Sequence, residues 1–321
     1  MTDVQIDKPI RVGLSACLAG DEVRFNGGHA HQRYLTQTLG QFFEYVTTCP
    51  EIEAGMTIPR PAVRLVAAGD KIRVIDPKNG VDWTAAMEEH AVKRAGIVEE
   101  EGLSGFILKS KSPSCGMERV KVYDHNDVPN ASGRGVFAAE LLRRYPRLPV
   151  EEEGRLNDPN LRENFIERVF AYTRLRNAFA DNWTLGSIVE FHASEKLLLL
   201  SHDEVAFRNL GRLVANAKAQ PRAAFAAEYQ QGFMEAVAQR STVRRHTNVL
   251  EHMLGYLRGT GDDEARKEAR QAIDDYRAGL VPLIVPITLF GYLTRRYNID
   301  YLLRQSYLRP HPKELMLRNH V

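Results

Sequence analysis

The hydrophobic period of this chain changes once, and that change limits what the chain can fold into. Across residues 1–150, short apolar runs at 10–14, 42–46, 72–75, 105–108 and 120–123 alternate with stretches of helical period near 32–40, 83–101 and 136–145. Such alternation predicts an α/β domain, a mostly parallel sheet covered by helices. Asp158-Pro159 is a helix-start signal, a capping residue with proline in the first turn. Beyond it, residues 161–180, 185–200, 205–219, 223–238, 244–257 and 264–276 all carry helical spacing, and 282–296 and 300–306 complete an all-α domain. The expected domains are therefore 1–150 and 158–321. Between them, Pro146, Pro149 and the Glu151-Glu152-Glu153-Gly154 run read as a solvated linker.

A length of 321 residues suits two domains. With 44% hydrophobic and 26% charged residues, the composition excludes collagen-like, disordered and polytopic membrane classes. Residues 280–293 are apolar but contain Pro282 and Pro286 and fall short of the roughly 20 residues of a membrane span. Residues 1–9 carry Asp3, Asp7 and Lys8 and lack the apolar core of a secretory leader. Three cysteines are too few for a disulfide framework, so a cytoplasmic protein with reduced thiols is expected. Charge is divided unevenly. Residues 1–159 hold 20 Lys and Arg against 23 Asp and Glu, whereas residues 160–321 hold 23 against 18.

Cys17, Cys49 and Cys115 form no closely spaced pair, but each follows a predicted strand: 10–14, 42–46 and 105–108. In an open parallel sheet the carboxyl ends of the strands form the ligand crevice, so three thiols can converge there. A lone free cysteine is usually a small buried hydrophobe; three with the same placement argue for a site. Three thiolates favour zinc or an iron–sulfur cluster. Structural zinc takes four ligands and no matching fourth is evident, since His29 and His31 sit in a Gly-rich loop. A cluster bound by three cysteines leaves one iron open to act as a Lewis acid toward a soft atom such as sulfur.

Three segments carry a family resemblance. They are Gly13-Leu14-Ser15-Ala16-Cys17-Leu18-Ala19-Gly20, then Cys49-Pro50-Glu51 followed by Gly55 and Pro59-Arg60, and Leu108-Lys109-Ser110-Lys111-Ser112-Pro113-Ser114-Cys115-Gly116. Together they resemble the thiouracil desulfidases, catalogued as domain of unknown function 523, over roughly residues 10–150. The helical half resembles domain of unknown function 1722. The fusion resembles the RudS branch, which removes sulfur from 4-thiouridine in transfer RNA. The resemblance implies a 4Fe–4S cluster on Cys17, Cys49 and Cys115, and an acid/base pair of a carboxylate and a serine. Glu51 matches the carboxylate. Ser110, Ser112 and Ser114 all lie near Cys115; Ser112, beside Pro113, is preferred. Glu51 would take a proton from the attacking water or give one to the ring nitrogen, and no external redox reagent is needed.

The expected activity is non-redox desulfuration of 4-thiouridine in transfer RNA. The alternatives are desulfuration of free thiouracil or its nucleotides, and a non-catalytic nucleic-acid-binding protein with a structural metal. Arg244-Arg245 and Arg295-Arg296 are candidate phosphate contacts in the positive half. Asn26-Gly27-Gly28-His29 reads as a turn or a phosphate cradle. Lys109 and Lys111 would favour thiolate at Cys115.

Overall fold

A computed structural model describes residues 9–320; the reading of residues 1–9 as lacking a leader concerns residues outside that range but for Pro9. The chain divides at Asp158 and Pro159 into two compact units. Among the described residues, no helix is long and apolar enough to cross a membrane.

The first unit runs β1 (Ile10–Ser15), α1 (Ala16–Ala19), β2 (Phe43–Thr48), α2 (Pro50–Glu53), β3 (Arg64–Ala68), β4 (Lys71–Ile75), α3 (Thr84–Ala95), α4 (Ile97–Glu100), β5 (Phe106–Leu108), β6 (Val120–Tyr123), β7 (Pro129–Gly133), α5 (Val136–Arg144) and β8 (Val150–Glu152). One four-stranded sheet has the order β2-β1-β5-β8 and is parallel throughout. Its inner strands are buried apolar runs, Val12 and Leu14 in β1 and the whole of Phe106–Leu108 in β5, as a sheet covered on both faces requires. Gly13 is dictated by close approach, because a Cβ there would sit 2.2 Å from the Phe106 ring.

A second sheet, order β4-β3-β6-β7, carries the hairpin β3–β4, with β6 parallel to β3. Residues 72–75 and 120–123 thus belong to a separate mixed sheet. The helix expected over 83–101 is broken at Gly96 into α3 and α4. The stretch near 32–40 forms only a π turn and a 3₁₀ turn. The largest departure is the expected linker. Val150–Glu152 is the fourth strand of the parallel sheet, and Glu151, Glu152 and Glu153 are all buried. Backbone pairing to β5 and local donors for each carboxylate offset the burial of three charges.

The second unit is all-helical: α6 (Pro159–Ala178), α7 (Leu185–His202), α8 (Glu204–Ala215), α9 (Arg222–Ala238), α10 (Val243–Tyr256), α11 (Asp263–Arg277), α12 (Ile284–Arg296) and α13 (Asp300–Leu303). Its core joins Leu197–Leu200 to Phe225, Tyr229 and Phe233. Side-chain caps start several of these helices. Thr184 and Ser187 form a capping box on α7, and Asp203 accepts from Val205 N and Ala206 N at α8. The apolar 280–293 stretch becomes α12, which buries Pro286, Ile287, Phe290 and Leu293.

Candidate active site

β2, β1 and β5 are neighbours in one parallel sheet, so the segments leaving their carboxyl ends emerge side by side. β1 leads into Cys17 in α1, β2 into Cys49 at the N-cap of α2, and β5 into the loop ending at Cys115. Burial, with Cys49 adding to it, pushes the Cys17 thiol up to about 11. Burial also raises Cys49. Cys115 is raised well above the ordinary thiol range by burial, with Cys49 and Cys17 adding to the effect and a Ser15 hydrogen bond opposing it. Among the described residues, the one set of three His, Cys, Asp or Glu groups whose ligand atoms lie within 4.8 Å of one another is Glu163, Glu167 and His311, in the helical unit; the three sulfurs are not gathered that tightly.

Beside the thiols stands Glu51, at the first turn of α2. Arg60 donates to its Oε2 through both Nε (3.1 Å) and Nη2, and Ser114 Oγ donates to Oε1 at 2.8 Å. The Arg60 side chain is 6% exposed and that of Glu51 15%, so the pair is largely out of water. Arg60 Nη2 also donates to the Val23 carbonyl, which lies 3.9 Å from Cys49 Sγ. One guanidinium therefore ties the carboxylate to the loop around Cys49.

The three candidate serines are separated by what their hydroxyls do. Ser110 Oγ donates to Glu153 at 2.8 Å. Ser114, 1% exposed, donates to Glu51. Ser112 Oγ accepts two backbone amides, Ser114 N and Cys115 N, each at 3.2 Å. Two donors on one hydroxyl oxygen polarise its O–H bond and favour it as a proton donor. Gly135 lets the start of α5 close over this loop, since a Cβ there would meet Ser114 C and O at 2.5 Å. Val136 N and Phe137 N then donate to Pro113 O and Ser114 O.

β8 completes the frame. Glu153 accepts from Lys109 Nζ, Ser110 N (2.7 Å) and Ser110 Oγ, where the Cys115 loop begins. Glu152 accepts from Met117 N at 2.7 Å, where the loop ends. Adjacent glutamates at the end of an edge strand, Glu152 its last residue and Glu153 the next, thus clamp both ends of the loop that carries Ser112, Ser114 and Cys115. Lys109 and Arg24 both lower the Cys17 pKa, against its burial and Cys49. Lys109 is engaged by Glu153, and Lys111 is exposed. His29 and His31 pack edge to face, with His31 Nε2 2.9 Å from Thr36 Oγ1, and the Asn26–His29 segment is a turn closed by Gly28 N on Asn26 Oδ1.

In the helical unit, Arg244 and Arg245 lie in the first turn of α10 and Arg295 and Arg296 in the last turn of α12. Arg245 donates to the Arg240 carbonyl, and Arg296 pairs with Asp262 at 3.6 Å. Arg244 and Arg295 are exposed and, among the described residues, make no ion pair. The residues that sequence reasoning passed over are Arg60, Arg24, Glu152 and Glu153. Arg60 stood in the Pro59-Arg60 motif but had no assigned partner. The glutamates were hidden by their own charge.

Three thiols following adjacent strands of a parallel sheet, with the fixed carboxylate of Glu51 beside them, form the candidate site. The family profile described as 2-thiouracil desulfurase matches residues 12–153, and that of a protein of unknown function, DUF1722, matches residues 196–312. Through its first domain, the chain belongs to the 2-thiouracil desulfurase family. It is 33% identical over 150 residues to the uncharacterized protein YbbK of Bacillus subtilis strain 168, spanning 45% of this chain and 97% of that protein. It is 29% identical over 158 residues to the uncharacterized protein YbgA of Escherichia coli K12, spanning 49% of this chain and 94% of that one. A solved structure described as the [4Fe-4S]-dependent thiouracil desulfidase TudS is 29% identical, covers 46% of this chain and 94% of its own, and has a TM-score of 0.38.

Proposed function

We propose that this protein removes sulfur from 4-thiouridine in transfer RNA, converting it to uridine without redox, with a 4Fe–4S cluster held by Cys17, Cys49 and Cys115. The donor chemistry supports that cofactor. The three sulfurs are soft, and the chain holds no fourth cysteine to complete a tetrahedral zinc site. When bound, the cluster supplies a Lewis-acidic iron for the thiocarbonyl sulfur.

The observation that carries the reading is Glu51, held by Arg60 and Ser114 beside three thiol donors. Arg60 keeps the carboxylate oriented, so that it takes a proton from water attacking the thiocarbonyl carbon. Ser112, with its oxygen loaded by two amides, gives a proton to the departing sulfur and is restored by the proton that Glu51 took from water, so both water protons leave with the sulfide. Water supplies the new oxygen and sulfur departs as sulfide, so no electrons are exchanged. Arg244, Arg245, Arg295 and Arg296 contribute phosphate contacts for the RNA. The family description names 2-thiouracil, which supports a second reading with the free base as substrate.

Anaerobic protein with reconstituted iron, incubated with transfer RNA, distinguishes them. Nucleoside mass spectrometry should show loss of 4-thiouridine with release of sulfide and no added reductant. Turnover of 2-thiouracil but not of the RNA would favour the second reading. A reductant consumed in each cycle would defeat the non-redox chemistry. Cys17→Ala, Cys49→Ala and Cys115→Ala should each lose iron as well as turnover.

A further inference from the structure

The helical unit contains a cavity of about 310 Å³ that desulfuration does not use. Its floor is a closed set of buried charges. Arg318, 3% exposed, donates to Glu167 Oε2 at 2.9 Å, to Glu163 Oε1 at 3.3 Å and to the Tyr307 carbonyl at 2.7 Å. His202 has Nε2 against Glu167 Oε1 and Nδ1 against the Gln239 carbonyl oxygen. Arg318 and His202 thus hold Glu167 on both oxygens, while burial raises the Glu163 carboxyl to about 7.

The groups above the floor are unspent. Tyr276 lines the cavity and is 7% exposed, and its hydroxyl has no hydrogen-bond partner among the described residues. His246, 8% exposed, uses Nδ1 on the Tyr307 hydroxyl at 2.9 Å and leaves Nε2 open. Both side chains are more than nine-tenths buried, yet the Tyr276 hydroxyl and His246 Nε2 open onto the cavity and make no hydrogen bond among the described residues, so they are free to engage a ligand there. The rim is positive. Arg240 is exposed and makes no ion pair among the described residues. Thr242 and Val243 bring the first turn of the 14-residue α10 to the lining; Thr242 Oγ1 caps Arg245 N, which leaves the Val243 and Arg244 amides and the positive end of the dipole at the rim. By contrast, Arg277 on the same wall is held by Glu251 and Asp274.

From this arrangement we infer that the cavity binds one nucleotide unit. The phosphate sits at Arg240 and the first amides of α10, and the sugar and base extend inward to Tyr276 and His246. A bare oxyanion would use the rim and leave the buried hydroxyl and imidazole unpaired. An uncharged nucleoside would leave the rim unused. The volume lies at the lower end of the range for small-ligand pockets, which suits one nucleotide and excludes a dinucleotide.

Calorimetric titration of the full chain tests this with three probes: UMP, uridine and inorganic phosphate. UMP should bind one per chain, at least tenfold more tightly than either half alone. Arg240→Glu should weaken UMP at least tenfold. Tyr276→Phe, which removes one hydroxyl, should weaken it about three- to tenfold. Arg304→Glu, an exposed arginine outside the lining, serves as control and should leave binding unchanged. Circular dichroism checks that each variant is folded. No saturable UMP binding at millimolar concentration would overturn the assignment. So would uridine or phosphate binding as tightly as UMP, or either variant leaving the dissociation constant unchanged, which would place UMP elsewhere. None of these outcomes depends on iron, so they are separable from the fate of the desulfuration reading.

Discussion

Replacing Glu153 by leucine should destabilise the first domain far more than a charge on a connector could. The Glu153 side chain is 7% exposed and accepts from Lys109 Nζ, Ser110 N and Ser110 Oγ. Leucine leaves the Ser110 amide without a partner, at about 1–3 kcal/mol, and removes a hydroxyl hydrogen bond worth about 1 kcal/mol. The Lys109 side chain is 24% exposed and regains water, so its lost ion pair adds only about 1 kcal/mol. The sum is about 3–5 kcal/mol, or a melting shift of roughly 6–20 °C for a domain of this size. Glu153→Gln keeps an acceptor for Ser110 and should cost about half as much. Lys109→Met alone strands a buried carboxylate, so the double variant Lys109→Met/Glu153→Gln should be less damaging than the two single changes added together, with a coupling of about 1–3 kcal/mol. Differential scanning calorimetry measures each value, with the helical unit's transition as internal reference. If Glu153→Leu moved the first domain's transition by less than about 1 °C, the clamp would be refuted and the glutamates would return to a solvated connector.

Three further outcomes are expected. Glu51→Gln should lower turnover by about 10²–10⁴ with iron content near normal, and Ser112→Ala should do the same, whereas Ser114→Ala should act more weakly, through the position of Glu51; steady-state rates with iron analysis check this. Reversing charge at Arg244 and Arg245 should weaken transfer-RNA binding, with a shallower salt dependence, while leaving desulfuration of free thiouracil unchanged; filter binding across a salt series measures it. His192 is buried with Nε2 unpartnered, and burial lowers its pKa to about 4. The unfolded chain binds the proton first, so the His192 contribution is intact above about pH 6.5 and falls by up to about 1.4 kcal/mol per unit toward pH 4; urea unfolding of His192→Phe should lose that slope.

Much of this arrangement is legible in the residues alone. Apolar runs ending in a cysteine locate three strand ends, and parallel topology then places them together. Helical period, with Asp158-Pro159 as the start signal, locates the second unit. Two kinds of information are missing from the sequence. One is which sheet a short strand joins: 105–108 and 120–123 look alike, yet only the first pairs with β1. The other is whether a charged run is solvated. Glu151-Glu152-Glu153 violates apolar patterning because its donors come from Lys109, Ser110, Met117 and Arg155, all distant or loop-borne except Arg155. The choice among Ser110, Ser112 and Ser114 likewise rests on hydrogen bonds that residue spacing does not encode.

The order of strands in the parallel sheet also sets a timetable. Cys17 and Cys49 leave the ribosome long before Cys115, but β5, which leads to it, must slot beside β1 before the third thiol can reach the others. β8 follows more than thirty residues later and seats on the outer flank of β5, where it fastens the loop. A nascent chain therefore holds two idle thiols while the third is unmade or untethered. On the proposed function, a cluster offered to such a partial chain has nothing stable to grip, and its loading would report that residues through Glu153 have been synthesised and docked; a chain stalled or cleaved before β8 should then emerge without metal.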